Sequence, residues 1–172
     1  FELVAVMSLQ AQRNLFVHPD GRWIGGYKPA ALRGYPFSLQ REQGSDRHVL
    51  CFDENSGLML ENPRGDGEPF FDAQGEPAPL VKKLLDFLGQ WEQQRQVTQR
   101  AVDMLAAQEL IVPWEVKVAD EASGNTQAVQ GLYRIDEKAL NALDEKGMAA
   151  LRAVNALPIA YAQLFSQHRI GV

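Results

Sequence analysis

The sequence predicts an α+β fold: short antiparallel strands and hairpins packed against one long helix, straight or kinked, then a C-terminal strand pair and two helices. Three observations carry this. Turn signatures built on Pro, Gly, Asp and Asn punctuate the chain up to residue 78 and leave only short β-prone runs between them. Leu80, Leu84, Leu88 and Trp91 then recur at intervals of four, four and three, and Val97, Ala101, Val102, Leu105 and Leu110 continue the helical period. After Pro113 the pattern returns to alternation, in Trp114-Glu115-Val116-Lys117-Val118.

Taken in order, residues 1–9 are apolar and β-prone and read as an interior strand. Asn14-Leu15-Phe16-Val17 and Arg22-Trp23-Ile24 flank His18-Pro19-Asp20-Gly21, where Pro presets φ and Gly permits a positive φ, so a hairpin is expected. Gly25 and Gly26 let the chain turn, and Pro29 can start one helical turn over residues 30–33. Residues 37–40 and 48–53 read as two strands joined by the polar loop 42–46. Leu58-Met59-Leu60 is a short apolar run, residues 62–68 a loop, and Asp72-Ala73-Gln74-Gly75 a turn.

The helix is expected over residues 79–109, roughly 45 Å at about 1.5 Å per residue if unbroken, or jointed between Gly89 and Gln96. Pro113 should end it. The strand beginning at Trp114 is expected to pair with residues 126–135 across a loop at 120–125. Asp136 and Asp144 are each placed to cap a following helix, their carboxylates accepting orphan backbone N–H groups. Pro158 should kink or break the last helix, because it removes the hydrogen bond to the Val154 carbonyl.

Length and composition narrow the function classes. A chain of 172 residues suits a single domain spanning 1–172. It buries roughly 70% of its unfolded surface and needs no disulfide or metal staple. The net charge of −5 comes from 17 Lys and Arg against 22 Asp and Glu, with the acidic excess between Glu42 and Glu76. No basic stripe neutralises phosphates, so nucleic acid is not an expected partner. Cys51 is the only cysteine and reads as a small buried hydrophobe. The longest apolar stretch, residues 156–165, falls short of the roughly 20 residues a membrane span requires, and a soluble protein is expected. Because the chain opens at Phe1 directly into an apolar run, an upstream segment is expected to be missing. The predicted compartment is cytoplasmic, or periplasmic or surface if that segment carries a signal.

Chemical constellations are sparse. His18, His48 and His168 form no i, i+4 pair, and no metal site is predicted. Asn55-Ser56-Gly57 lacks the first glycine of a nucleophile elbow, and no phosphate-binding glycine loop occurs, so no catalytic residue and no cofactor are assigned. Asp53, Glu54, Glu61, Asp66, Glu68, Asp72 and Glu76 could supply an acid–base pair, but most sit in predicted turns, which explains them. The densest unusual feature is aromatic: Trp23, Tyr27, Tyr35 and Phe37 interleaved with Lys28 and Arg33. Such rings either fill the core or hold a sugar or peptide. Trp23, Tyr27, Arg33, Tyr35 and Asp53 are therefore the candidate ligand-binding residues.

Several blocks agree in order and spacing with one family. Asn14-Leu15-Phe16-Val17, Asp20-Gly21-Arg22-Trp23, the run from Tyr27 through Lys28, Pro29, Arg33, Gly34, Tyr35 and Pro36 to Phe37, and Val49-Leu50-Cys51-Phe52-Asp53 resemble the bacterial SapC family. So do Gly131-Leu132-Tyr133-Arg134-Ile135-Asp136-Glu137 and Ala160-Tyr161-Ala162-Gln163-Leu164-Phe165-Ser166. The pattern departs at Lys28-Pro29-Ala30, where a larger or more hydrophobic set is expected. The resemblance implies association with a bacterial surface layer and a neighbourhood of outer-membrane receptors and flavin halogenase-like proteins, hence a role in nutrient uptake or modification. It supplies no catalytic residues.

The function expected from residues and resemblance together is a noncatalytic accessory or binding protein of a bacterial cell-surface or uptake system. Its protein partner or small ligand, a sugar or peptide, would contact Trp23, Tyr27, Arg33 and Tyr35. One alternative is an enzyme or enzyme subunit whose site joins Asp53 to His18 or His48; another is a structural protein of a layer or homo-oligomer.

Overall fold

The computed structural model describes residues 1–10, 12–45, 47–61, 67–119 and 126–170. Two compact units divide the chain: Gly21–Arg95, and Phe1–Asp20 with Gln96–Val172. One helix, α2 (Pro79–Ala107), contributes residues to both. It runs unbroken through Gly89 and the polar stretch 92–96, so of the two expected forms the continuous helix is the one adopted. Mixed helix and short antiparallel strand pairs confirm the α+β class.

In the unit Gly21–Arg95, helix α1 (Ala30–Gly34) starts at Pro29, whose carbonyl accepts from the backbone N–H groups of Leu32 and Arg33 at 3.0 and 3.1 Å. A proline suits this end because its φ is already set and no N–H is lost from the ladder. Strands β1 (Phe37–Arg41) and β2 (His48–Phe52) form an antiparallel hairpin, Phe37 opposite Phe52 and Arg41 opposite His48. Gly44 sits at φ +83 in the connection, as a tight polar loop demands. The Asp72 turn closes on itself: its carboxylate accepts from Gln74 and Glu76 N–H at 2.9 Å, and Phe71 bridges Pro77. Ala78, Val81 and Leu88 are the buried apolar residues here. Gly34 is buried beside them, so close that a Cβ on it would stand 2.9 Å from Leu88 Cδ2.

Fewer strands form than the turn signals imply. The 18–21 turn is made, with Gly21 at φ +88, but Val17 and Trp23 are single bridge positions rather than strands. Leu58-Met59-Leu60 adopts no element. The physical reason is local: at Asp72 the side chain satisfies the turn's own N–H groups, and the flanking pairing stops at the single Phe71–Pro77 bridge. The expected loop 120–125, most of 62–68, and Asp46 lie outside the described residues.

In the other unit, Ala101 and Leu105 of α2 pack with Leu110, Ile135, Leu140, Leu151, Ala156 and Ala160 in one buried cluster. The helix stops before Pro113 is reached. Glu109 takes φ +56, its N–H donates to Ala106 O, and Leu110 N–H donates to Leu105 O, which is a Schellman ending. Pro113 instead closes strand β3 (Ile111–Pro113). Strand β4 (Val116–Ala119) pairs with β5 (Thr126–Val129), and β3 with β6 (Tyr133–Ile135). The predicted partner strand 126–135 is thus divided. Opposite residues sum to one less in β4–β5 than in β3–β6, because residues 130–132 face only 114 and 115. The extra residue is a bulge, and Gly131 occupies it at φ +81.

Asp136 caps α3 (Glu137–Asn141), accepting from Lys138 N at 2.9 Å and Ala139 N at 3.2 Å, and Asp144 caps α4 (Glu145–Ala153), accepting from Gly147 N at 2.7 Å. The final break falls at Asn155, in the left-handed region at φ +56, and α5 (Ala156–Ser166) follows. Pro158 lies in the first turn of α5, where its missing N–H leaves no bond unmade. Residues 1–9, expected as a strand, form none. Their carbonyls meet Leu15 N–H at Met7 and the Gln99 side chain at Phe1, and among the described residues no neighbouring strand offers them a ladder.

Candidate functional site

Four of the five candidate residues, Tyr27, Arg33, Tyr35 and Asp53, gather at one place in the unit Gly21–Arg95. Tyr27 follows the Gly25-Gly26 pair, Arg33 and Gly34 end α1, and Tyr35 leads through a cis bond to Pro36 and into β1. Arg33 is held by rings. Its guanidinium lies 4.9 Å from the centre of the Phe87 ring and 5.4 Å from that of Tyr27, and one of its N–H groups donates to Tyr27 Oη at 3.0 Å. Stacked this way the side chain is preorganised, and its charge is stabilised by both ring faces. No carboxylate pairs with Arg33 among the described residues.

Tyr35 donates its hydroxyl to Asp53 Oδ2 at 3.0 Å, and Asp53 Oδ1 accepts from Asn55 N–H to cap the short 3-10 turn that follows β2. The hydrogen bond to Asp53 raises the Tyr35 pKa above the usual phenol value, with desolvation and the carboxylate's charge adding in the same direction. Asp53 is placed by the hairpin, since its N–H donates to Pro36 O at 2.9 Å just beyond the Phe37–Phe52 pair.

Beside these residues lies an apolar cleft of about 170 Å³. Arg33, Gly34 and Tyr35 form one wall. Phe37 and Phe70, edge to face with centroids 5.7 Å apart, form the second. Leu80, Val81 and Leu84 of α2 close the third. Among the five candidates, Arg33 and Tyr35 line the cleft directly, while Tyr27 and Asp53 join it through them. Trp23 is half-buried and does not line it. Tyr27 and Tyr35 are 69% and 52% exposed, so these two rings do not fill the core.

Sequence reasoning missed Phe70, Phe87 and the α2 wall. Their signal was present in part: Leu80 and Leu84 are one turn apart, and Phe70-Phe71 lead into the Asp72 turn that returns the chain before the helix. The other candidate groups stand elsewhere. His48 opposes Arg41, at the far end of β2 from Phe52, roughly 13 Å along the strand at about 3.3 Å per residue. His18 is exposed and pairs with Asp20 at 2.9 Å. Cys51 is half-buried and free. Asp72 serves its own turn, and Asp66 lies outside the described residues. Among the described residues no group of three or more His, Cys, Asp or Glu could hold a metal ion, and no helix is long and apolar enough to cross a membrane.

No curated protein and no solved structure matches this chain. The profile of the SapC family matches residues 1–171, essentially the whole chain, and the protein is a member of that family.

Proposed function

We propose that the protein is a noncatalytic binding or accessory component of a bacterial cell-surface or nutrient-uptake system, and that its ligand or partner seats against the cleft beside Arg33 and Tyr35. One observation carries this reading: an open apolar hollow lies next to an arginine fixed between two rings and an exposed tyrosine fixed by Asp53. Anchored polar groups at the rim of an apolar concavity are how binding sites combine affinity with orientation. The test is a binding screen of the full chain against oligosaccharides, peptides and flavin-dependent partner proteins. A ligand of this site loses tenfold or more affinity, about 1.4 kcal/mol, when Tyr35→Ala or Arg33→Ala is introduced. Ligands that bind both variants as well as the parent place the function elsewhere.

A structural role in a layer or oligomer is the second reading, favoured by large apolar side chains left exposed in both units. Leu58, Leu60 and Phe71 are examples in one, and Phe1, Val4 and Phe165 in the other. Sedimentation of the full chain at high concentration decides it, and a strict monomer argues against it.

A further inference from the structure

We infer that the cleft receives the C-terminal residue of an extended peptide, with an apolar side chain in the hollow and the terminal carboxylate on Arg33. This deepens the binding reading above and rests on it.

Four observations converge. The first is size. An apolar cavity of about 150 Å³ accepts a benzene ring, so a hollow of about 170 Å³ has room for one Phe or Leu side chain. The second is charge. Arg33 lines the hollow and, among the described residues, hydrogen-bonds only Tyr27 Oη and meets no carboxylate. A guanidinium over the Phe87 and Tyr27 rings, bonded only to Tyr27 Oη among the described residues, has further N–H groups for an anion, and a carboxylate is the planar anion that fits them. The third is the strand edge. Among the described residues β1 pairs only with β2, so no strand occupies its other edge, and the first residue of β1, Phe37, is part of the cleft wall. The fourth is the helix opposite. Leu80, Val81 and Leu84 of α2 face the same hollow, so the pocket lies between a strand with a free edge and a helix.

An added strand would satisfy the open backbone groups of β1, and its alternate side chains would point to one face. Its last residue then meets the apolar walls, and its carboxylate meets the one cation among them. A neutral sugar uses the rings but leaves Arg33 without an anion. A free aromatic acid uses Arg33 and the hollow but not the strand edge.

The experiment is a fluorescence-polarisation titration of the full chain with labelled hexapeptides ending in Phe, Leu or Ala, each as free acid and as C-terminal amide. The Phe and Leu acids are expected to bind, with their amides and the Ala acid roughly tenfold or more weaker. In Arg33→Gln, an exposed substitution read alongside an unchanged melting curve, acid and amide should bind alike. N-acetyl-phenylalanine should compete far less well than the hexapeptide. Equal binding of acid and amide by the parent protein overturns the inference. So does an acid preference that survives Arg33→Gln, or N-acetyl-phenylalanine competing as well as the hexapeptide. If no peptide binds but maltohexaose or a protein partner does, and Tyr35→Ala weakens that binding, this inference falls while the binding function stands. If no ligand responds to either cleft variant, both fall.

Discussion

Two glycines in helices should respond in opposite directions to the same change. Gly89 lies inside α2, and an added Cβ there would have no atom within 4 Å. Replacing glycine by alanine in a helix interior gains about 0.8–1 kcal/mol from the smaller loss of backbone freedom. With no contact to oppose that gain, Gly89→Ala should stabilise by about that amount and raise the melting temperature by about 2–4 °C for a chain of this size. Gly34 is also helical, yet its added Cβ would stand 2.9 Å from Leu88 Cδ2 and 3.7 Å from Phe87 Cε1. Leu88 is 1% exposed, so its terminal methyl can shift only by giving up buried contacts. Overpacking of this kind costs about 1–3 kcal/mol, which outweighs a propensity gain at the end of a five-residue helix. Gly34→Ala should therefore lose about 1 kcal/mol, and Gly34→Val more. Urea unfolding followed by far-ultraviolet circular dichroism measures both. A destabilised Gly89→Ala would refute an unbroken α2, and a stabilised Gly34→Ala would refute the close approach of α1 to Leu88.

Glu109 ends α2 in the left-handed region, where a side chain is strained, so Glu109→Gly should stabilise by about 0.5–1 kcal/mol, read as a higher urea midpoint. Removing the cap in Asp136→Ala frees two N–H groups and should cost about 1 kcal/mol in the same assay. The Tyr35 phenol, raised in the folded state, should ionise above the ordinary value near 10. Its contribution to stability is therefore complete below about pH 10 and lost as pH rises through the raised value. Absorbance titration near 295 nm should show the last tyrosine step moving down in Asp53→Ala, and an unchanged curve would refute the Tyr35–Asp53 bond.

Much of this architecture was readable because local chemistry and tertiary demand coincide. Leu80, Leu84, Leu88 and Trp91 specify a helix at any length, and Asp136 and Asp144 cap whatever follows them. The errors fall where a residue type allows two outcomes. Pro113 ends helices and also tolerates a strand, and here the stop came earlier from Glu109, a residue with no preference for positive φ. Pro158 breaks helix interiors but fits a first turn, and Asn155 made the break. Residues 1–7 have strand composition, but a ladder also requires a neighbour, which composition does not encode. In the candidate site, Tyr27, Arg33 and Tyr35 were visible as a cluster because they are close in sequence. Phe70, Leu80 and Leu84 were not, because only the returning turn at Asp72 and the start of α2 bring them to the same hollow.

The jog at Gly131 has a mechanical consequence for the ribbon it interrupts. Sliding one arm past the other by a single step would push Gln130 or Leu132 into a backbone geometry that their β-carbons resist. The two arms are thereby pinned at mid-length. A slip between β4 and β5 is therefore stopped before it reaches Ile135 and Asp136, and the buried cluster and the first cap stay in place.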